Sequence, residues 1–91
     1  MTRADAVRLV GAVAQCEMAL VRRDGAAGPL LAQAARAASG LPGGEYLAVA
    51  TRLVRGLDLS SDDQDAQATR KVAQALCRAA AIEAQAAALA R

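Results

Sequence analysis

The chain has 91 residues, a formal net charge of +2 and 55% hydrophobic residues, with Tyr46 as its single aromatic side chain. This length fits one domain, residues 1–91, and 11 basic against 9 acidic residues do not by themselves indicate a polyanionic partner. Histidine, the usual acid–base group near neutral pH, is absent, and no Walker or Rossmann glycine loop is present. We therefore expect no enzymatic activity, no cofactor and no small-molecule substrate.

The two cysteines, Cys16 and Cys77, are too few for a disulfide framework. Each falls in a predicted helix, where cysteine commonly acts as a small hydrophobic residue, so buried reduced thiols are predicted, with an inter-helix disulfide as the alternative. Without histidine or a CxxC pair, no metal site is expected. No apolar run reaches the roughly 18 residues of a membrane span, and Asp5 and Arg8 interrupt the apolar N-terminal segment. We expect a cytoplasmic protein with no membrane partner.

The first helix is predicted over about residues 3–24. Thr2 followed by Asp5 is typical of a helix start, and Gly25 is a typical helix end. Glu17, inside the apolar arc, is expected to pair with an arginine of another helix. Two apolar stripes run along the helix: Ala6, Leu9, Val13, Cys16 and Leu20 form one, and Val7, Val10, Ala14, Met18 and Val21 the other. This arc is about twice as wide as that of an ordinary surface helix and predicts neighbours on two sides.

Two shorter helices are predicted over about residues 29–39 and 44–56. Pro29 suits the first position of the former, because its missing N–H is not needed there. Glycine and proline at 40–44 indicate the turn between them. Gly43 and Tyr46 have a spacing that resembles the first helix of a tetratricopeptide repeat, but the chain shows no 34-residue period.

The last helix is predicted over about residues 61–90. Ser61 and Gln64 form a capping box, with Ser60 as an alternative cap. The α4 stripe, as we call the apolar residues at strict 4-3 spacing on this helix, comprises Ala68, Val72, Ala75, Ala79, Ile82, Ala86 and Leu89. Such spacing favours a supercoiled helix contact, either on the first helix or with a second copy or a partner. The opposite, polar face comprises Gln67, Arg70, Lys71, Gln74, Arg78 and Gln85.

These elements predict an all-α four-helix bundle in which the long first and last helices pack antiparallel. The wide apolar arc and the lack of aromatic bulk predict a protein–protein interaction module, which forms a homodimer or binds a helical protein partner. The candidate interaction residues are Val72, Ala75, Ala79, Ile82, Ala86, Leu89, Leu9, Val13 and Leu20.

Two alternative functions remain open. The stretch Glu17-Met18-Ala19-Leu20 is similar to part of the small co-chaperones of type III secretion needle proteins. This four-residue resemblance implies a co-chaperone or a subunit of a bacterial secretion or assembly apparatus. Alternatively, the second and third helices could form a helix-turn-helix that binds DNA through Arg52 and Arg55. The aspartates of residues 60–65 and the lack of a basic cluster argue against a nucleic-acid partner.

Overall fold

The computed structural model describes residues 1–90, and Arg91 lies outside the described part. Its four α-helices are α1 (Arg3–Val21), α2 (Ala27–Ala37), α3 (Gly44–Val54) and α4 (Gln64–Leu89). Each helix packs on its neighbours in the chain, and α4 also packs on α1, which closes the ring. The closed ring confirms the all-α four-helix bundle. It also differs from a tetratricopeptide array, in which each repeat contacts only its neighbours.

Helices α1 and α4 run antiparallel, as predicted. Arg78 Nε donates a hydrogen bond to Glu17 Oε2 at 3.1 Å, so the C-terminal part of α1 lies beside the middle of α4. Arg23, just after α1, forms an ion pair with Asp62, just before α4. Since residue numbers rise along one helix as they fall along the other, the two directions are opposite. The Glu17–Arg78 pair also confirms that Glu17 meets an arginine of another helix.

The bundle is elongated because its helices differ in length. Its extents are 44 × 18 × 18 Å. Helices α1 and α4 have 19 and 26 residues, whereas α2 and α3 have 11 each. At a rise of about 1.5 Å per residue, α4 is therefore more than twice as long as either short helix. Buried residues nevertheless run from Ala6 to Leu20 on α1 and from Ala66 to Ala84 on α4.

The core is built largely from alanine. Its largest fully buried side chains are Leu20, Leu31, Leu47, Val13, Cys16 and Cys77. The buried alanines of the same cluster are Ala19, Ala27, Ala34, Ala38, Ala50, Ala73, Ala80 and Ala84. Small side chains allow helix backbones to approach closely, but each buries little apolar area. Close helix packing therefore takes the place of aromatic bulk.

The helix boundaries differ from the predicted ones by up to three residues. Helix α1 ends at Val21 because Arg23, not Gly25, adopts the left-handed conformation (φ 58°). Asp24 N then donates to Ala19 O at 2.9 Å, which completes a Schellman cap. Backbone hydrogen bonds therefore close α1 in place of the expected Gly25, and residue types give little indication of such bonds. Helix α2 begins at Ala27 rather than at Pro29.

The start of α4 also differs from the prediction. The residue before its first turn is Asp63, whose side chain makes no cap hydrogen bond. Ser61 Oγ instead accepts from Asp63 N at 3.0 Å within the preceding loop. The serines therefore stabilise the loop and do not cap α4.

Helix α3 ends at Val54, two residues before the predicted end at 56.

Cys16 and Cys77 are free and buried, on facing positions of α1 and α4 next to the Glu17–Arg78 pair. Burial raises the pKa of the Cys16 thiol to about 11. Burial, with a smaller contribution from the charge of Cys16, raises the pKa of the Cys77 thiol to about 12. Both groups are therefore neutral thiols at pH 7 and are poor nucleophiles.

This pKa shift predicts that the free energy of unfolding falls above about pH 9. Unfolded thiols ionise near pH 8.5, whereas the folded ones stay protonated, so the folded state binds more protons in this range. The contribution of the two buried thiols to the free energy of unfolding is thus complete below pH 8.5 and is lost as the pH rises towards 11. Urea titrations at pH 7.5 and 10 measure it, and the Cys16→Ala/Cys77→Ala double variant should lose less stability between these pH values. Equal losses in both proteins would contradict the prediction.

Candidate interaction surface on α1 and α4

Helix α4 presents its large aliphatic residues to solvent and its small residues to the core. The exposed fractions of Val72, Ile82 and Leu89 are 50%, 65% and 85%. The residues that α4 buries are Ala66, Arg70, Ala73, Cys77, Ala80 and Ala84. The α4 stripe therefore does not pack on α1, and that alternative is wrong. Exposed aliphatic side chains in a continuous row are uncommon on a protein that acts alone.

Arg70 holds α4 in this orientation. Its side chain is buried, with an exposed residue fraction of 5%, and Nη1 donates to Leu59 O at 3.1 Å and Ser61 O at 2.8 Å. These bonds join α4 to the loop after α3, where Leu59 is itself buried. Residues 70 and 72 point about 200° apart on a helix. A rotation of α4 that turned Val72 inwards would therefore pull Arg70 away from both carbonyl oxygens. The prediction that Arg70 lies on an exposed polar face is wrong, because its side chain is buried.

Helix α1 contributes a second exposed apolar stripe. Val7, Met18 and Val21 are exposed, with Ala14 exposed and Val10 half-buried on the same side. Leu9, Val13 and Leu20, which the sequence placed in the interaction set, are instead buried in the core of the chain itself. We therefore correct that part of the prediction: the outward stripe of α1 is the one that contains Val7 and Val21.

The two stripes meet in an open groove between the start of α1 and the end of α4. The groove has a volume of about 540 Å³ and is lined by Arg3, Ala6, Val7, Val10, Gln85, Ala88 and Leu89. We use the name outer face for the two stripes together: Val7, Val10, Ala14, Met18 and Val21 of α1, with Val72, Ala75, Ala79, Ile82, Ala86 and Leu89 of α4. Of the predicted interaction residues, the structure brings those of α4 to this face, with Ala79 half-buried and the others exposed.

The charged side chains around the outer face are mostly basic. Arg3 lines the groove, and Arg22 lies beside Met18 and Val21 at the other end of α1. Lys71 is exposed and lies two helical turns before Arg78, on the same side of α4. Two carboxylates are also near. Glu17 already pairs with Arg78, and Glu83 is exposed next to Ile82 on α4.

Other kinds of site receive no support from the described geometry. Within residues 1–90, no three His, Cys, Asp or Glu side chains lie together in a way that could hold a metal ion. None of the helices in the same range combines the length and hydropathy needed to cross a membrane. Comparison with known proteins gives no match, either to a family model, to a curated protein or to a solved structure. The outer face is therefore the candidate functional site.

Proposed function

We propose that this chain is a non-enzymatic protein–protein interaction module that binds a helix of another polypeptide along the outer face. The observation that carries the proposal is the orientation of α4, which buries alanines and an arginine while Val72, Ile82 and Leu89 face solvent. Leaving these side chains in water forgoes about 25 cal/mol for each Å² of apolar area. A partner that covers them recovers this free energy on binding.

The shape of the outer face favours a helix as the ligand. Apart from those at the helix ends, the backbone groups of α1 and α4 form helical hydrogen bonds, so the face has no strand edge to which an extended peptide could pair. Apolar residues at helical spacing on two adjacent helices form ridges on either side of a groove. A third helix can lay its own ridge into such a groove. The co-chaperone hypothesis is a narrower form of this function and stays a prediction, as does DNA binding through Arg52 and Arg55.

The test uses a designed, hydrocarbon-stapled helical peptide of about 18 residues, long enough to span α1. It carries leucine at 4-3 spacing and glutamine at its flanking positions. Fluorescence anisotropy should show saturable binding to the wild type, and Ile82→Asp should weaken it at least about tenfold because it places a charge in the apolar contact. The matched control is Gln33→Asp, at an exposed position of α2, which should bind as the wild type does.

Sedimentation of the wild type and of Ile82→Asp at about 50 µM tests the homodimer in the same series. A wild-type dimer that Ile82→Asp converts into a monomer would support the module with a second copy as its ligand. Two results together would contradict the proposal: a monomeric wild type, and no peptide binding that depends on Ile82.

A further inference from the structure

The rim of the outer face carries an excess of positive charge. Arg3, Arg22 and Lys71 have no carboxylate within ion-pair distance in the described part of the chain. The fourth cation, Arg78, pairs with Glu17. Glu83 is exposed beside Ile82 on α4, so four cations and two carboxylates leave the rim with a net excess of two positive charges. Arg23 pairs with Asp62 beyond the end of α1, and Arg8 pairs with Asp5 on the flank of α1 that faces away from α4. Within residues 1–90, three exposed arginines of α2 and α3, Arg36, Arg52 and Arg55, also lack a carboxylate within ion-pair distance. What distinguishes the rim is that its cations flank an exposed apolar surface.

This charge distribution distinguishes between possible ligands. A second copy of the chain would bring the same basic rim against itself, and like charges across an interface disfavour association. A partner helix with acidic residues beside its apolar stripe would place carboxylates next to Arg3, Arg22 and Lys71. Electrostatic complementarity of this kind selects the partner and raises the association rate.

An anionic membrane surface is a different ligand class that could also attract a basic apolar face. Helices that lie in a membrane interface commonly use Trp, Phe and Leu on the inserted side. The outer face instead places Ala14, Ala75, Ala79 and Ala86 between its larger residues. Small residues give little to lipid insertion but let a second helix backbone approach closely. The alanines between the larger residues of the outer face therefore favour a protein helix as the ligand over a membrane.

We propose that the ligand of the outer face is an amphipathic helix of a different protein, with acidic residues on both sides of its apolar stripe. This inference rests on the proposed function and adds the chemical class of the partner. The stripe of the ligand lies in the groove between α1 and α4, and its carboxylates contact the cations of the rim.

Three stapled peptides with the same leucine positions but Glu, Gln or Lys at the flanking positions test this proposal. The Glu peptide should bind at least about tenfold more tightly than the Lys peptide at 50 mM salt, a difference that several exposed ion pairs can supply together. At about 500 mM salt the difference should shrink, because screening weakens exposed pairs.

Charge reversal locates the effect. The Arg3→Glu/Lys71→Glu variant should lose affinity for the Glu peptide and gain affinity for the Lys peptide. The matched control, Arg36→Glu/Arg52→Glu, reverses two exposed arginines of α2 and α3 and should leave the order of affinities unchanged. Equal binding of the three peptides would overturn the acidic partner but leave the proposed function intact. If a monomeric wild type binds none of the peptides, both the acidic partner and the proposed function are overturned.

Two further outcomes identify other ligands. A wild-type dimer that dissociates in Ile82→Asp would assign the face to a second copy and overturn the acidic partner. Vesicles of 70% phosphatidylcholine and 30% phosphatidylserine serve as the lipid probe. Binding to them that Ile82→Asp abolishes, with no binding of the Glu peptide, would assign the face to a membrane and overturn the proposal.

Discussion

Arg70→Asp is expected to remove a large part of the stability of the fold. The substitution replaces a buried donor of two hydrogen bonds with an acceptor, so Leu59 O and Ser61 O face a carboxylate in place of a guanidinium. A buried charge without a partner costs about 3–5 kcal/mol. A domain of this size has a total stability of about 5–14 kcal/mol. Circular dichroism with urea titration measures the loss.

A control variant separates the hydrogen bonds from the charge. Arg70→Met keeps apolar volume at the position but leaves the two carbonyl oxygens without their donor, which costs about 1–3 kcal/mol. Its free energy of unfolding should therefore lie between those of the wild type and Arg70→Asp. If Arg70→Asp unfolds at the same urea concentration as the wild type, Arg70 does not hold the loop to α4.

Ala80→Asp is the second substitution expected to cost more than about 3 kcal/mol. Ala80 is fully buried, and the turn between α2 and α3 lies directly on it. A Cβ atom built on Gly43 would come within 2.6 Å of Ala80 O, and the φ of Gly43 is +91°, so only glycine fits this contact. No space remains for a carboxylate, and water cannot reach it.

The urea midpoint of Ala80→Asp should fall well below that of the wild type, or the protein should lack a cooperative transition. Ala80→Ser, which adds one polar atom without a charge, should lose less stability than Ala80→Asp. A midpoint for Ala80→Asp within experimental error of the wild type would contradict the observed packing of the turn on α4.

The sequence predicts the four helices, their order and the antiparallel pair, because these depend on periodicity and on strong local signals. Thr2 is the N-cap of α1 as predicted, and its Oγ1 accepts from Asp5 N at 3.1 Å. The ends are less predictable where the backbone supplies its own cap. Arg23 in the left-handed conformation costs about 1–2 kcal/mol relative to glycine, and residue type gives no sign that this position, and not Gly25, closes the helix.

The orientation of α4 could not be predicted, because two series of residues on this helix have the same 4-3 spacing. One is the α4 stripe with Val72, Ile82 and Leu89. The other contains Ala66, Arg70, Ala73, Cys77, Ala80 and Ala84, and this is the series that the bundle buries. Hydrophobicity favours the first series, since burying larger apolar side chains stabilises more. The second is buried because Arg70 finds two carbonyl oxygens and the alanines let α3 and the Gly43 turn approach closely.

Such a failure of a local rule is expected at functional or strained sites. From their sizes, Ile82 would be expected in the core and Ala80 at the surface, but the structure shows the reverse. The large one stays in solvent and the small one fills the core, so the surface of α4 retains apolar area that the chain itself does not use. This unused area is the physical basis for the proposed interaction.

The most direct test of this account is the urea unfolding of Ile82→Asp, measured beside the wild type at about 5 µM protein. The side chain of Ile82 lies outside the bundle, so we expect an unfolding free energy within about 0.5 kcal/mol of the wild type, the range of ordinary surface substitutions. A loss of several kcal/mol, comparable to that of Ala80→Asp, would show that Ile82 belongs to the folded core. The outer face would then not exist as a free binding surface.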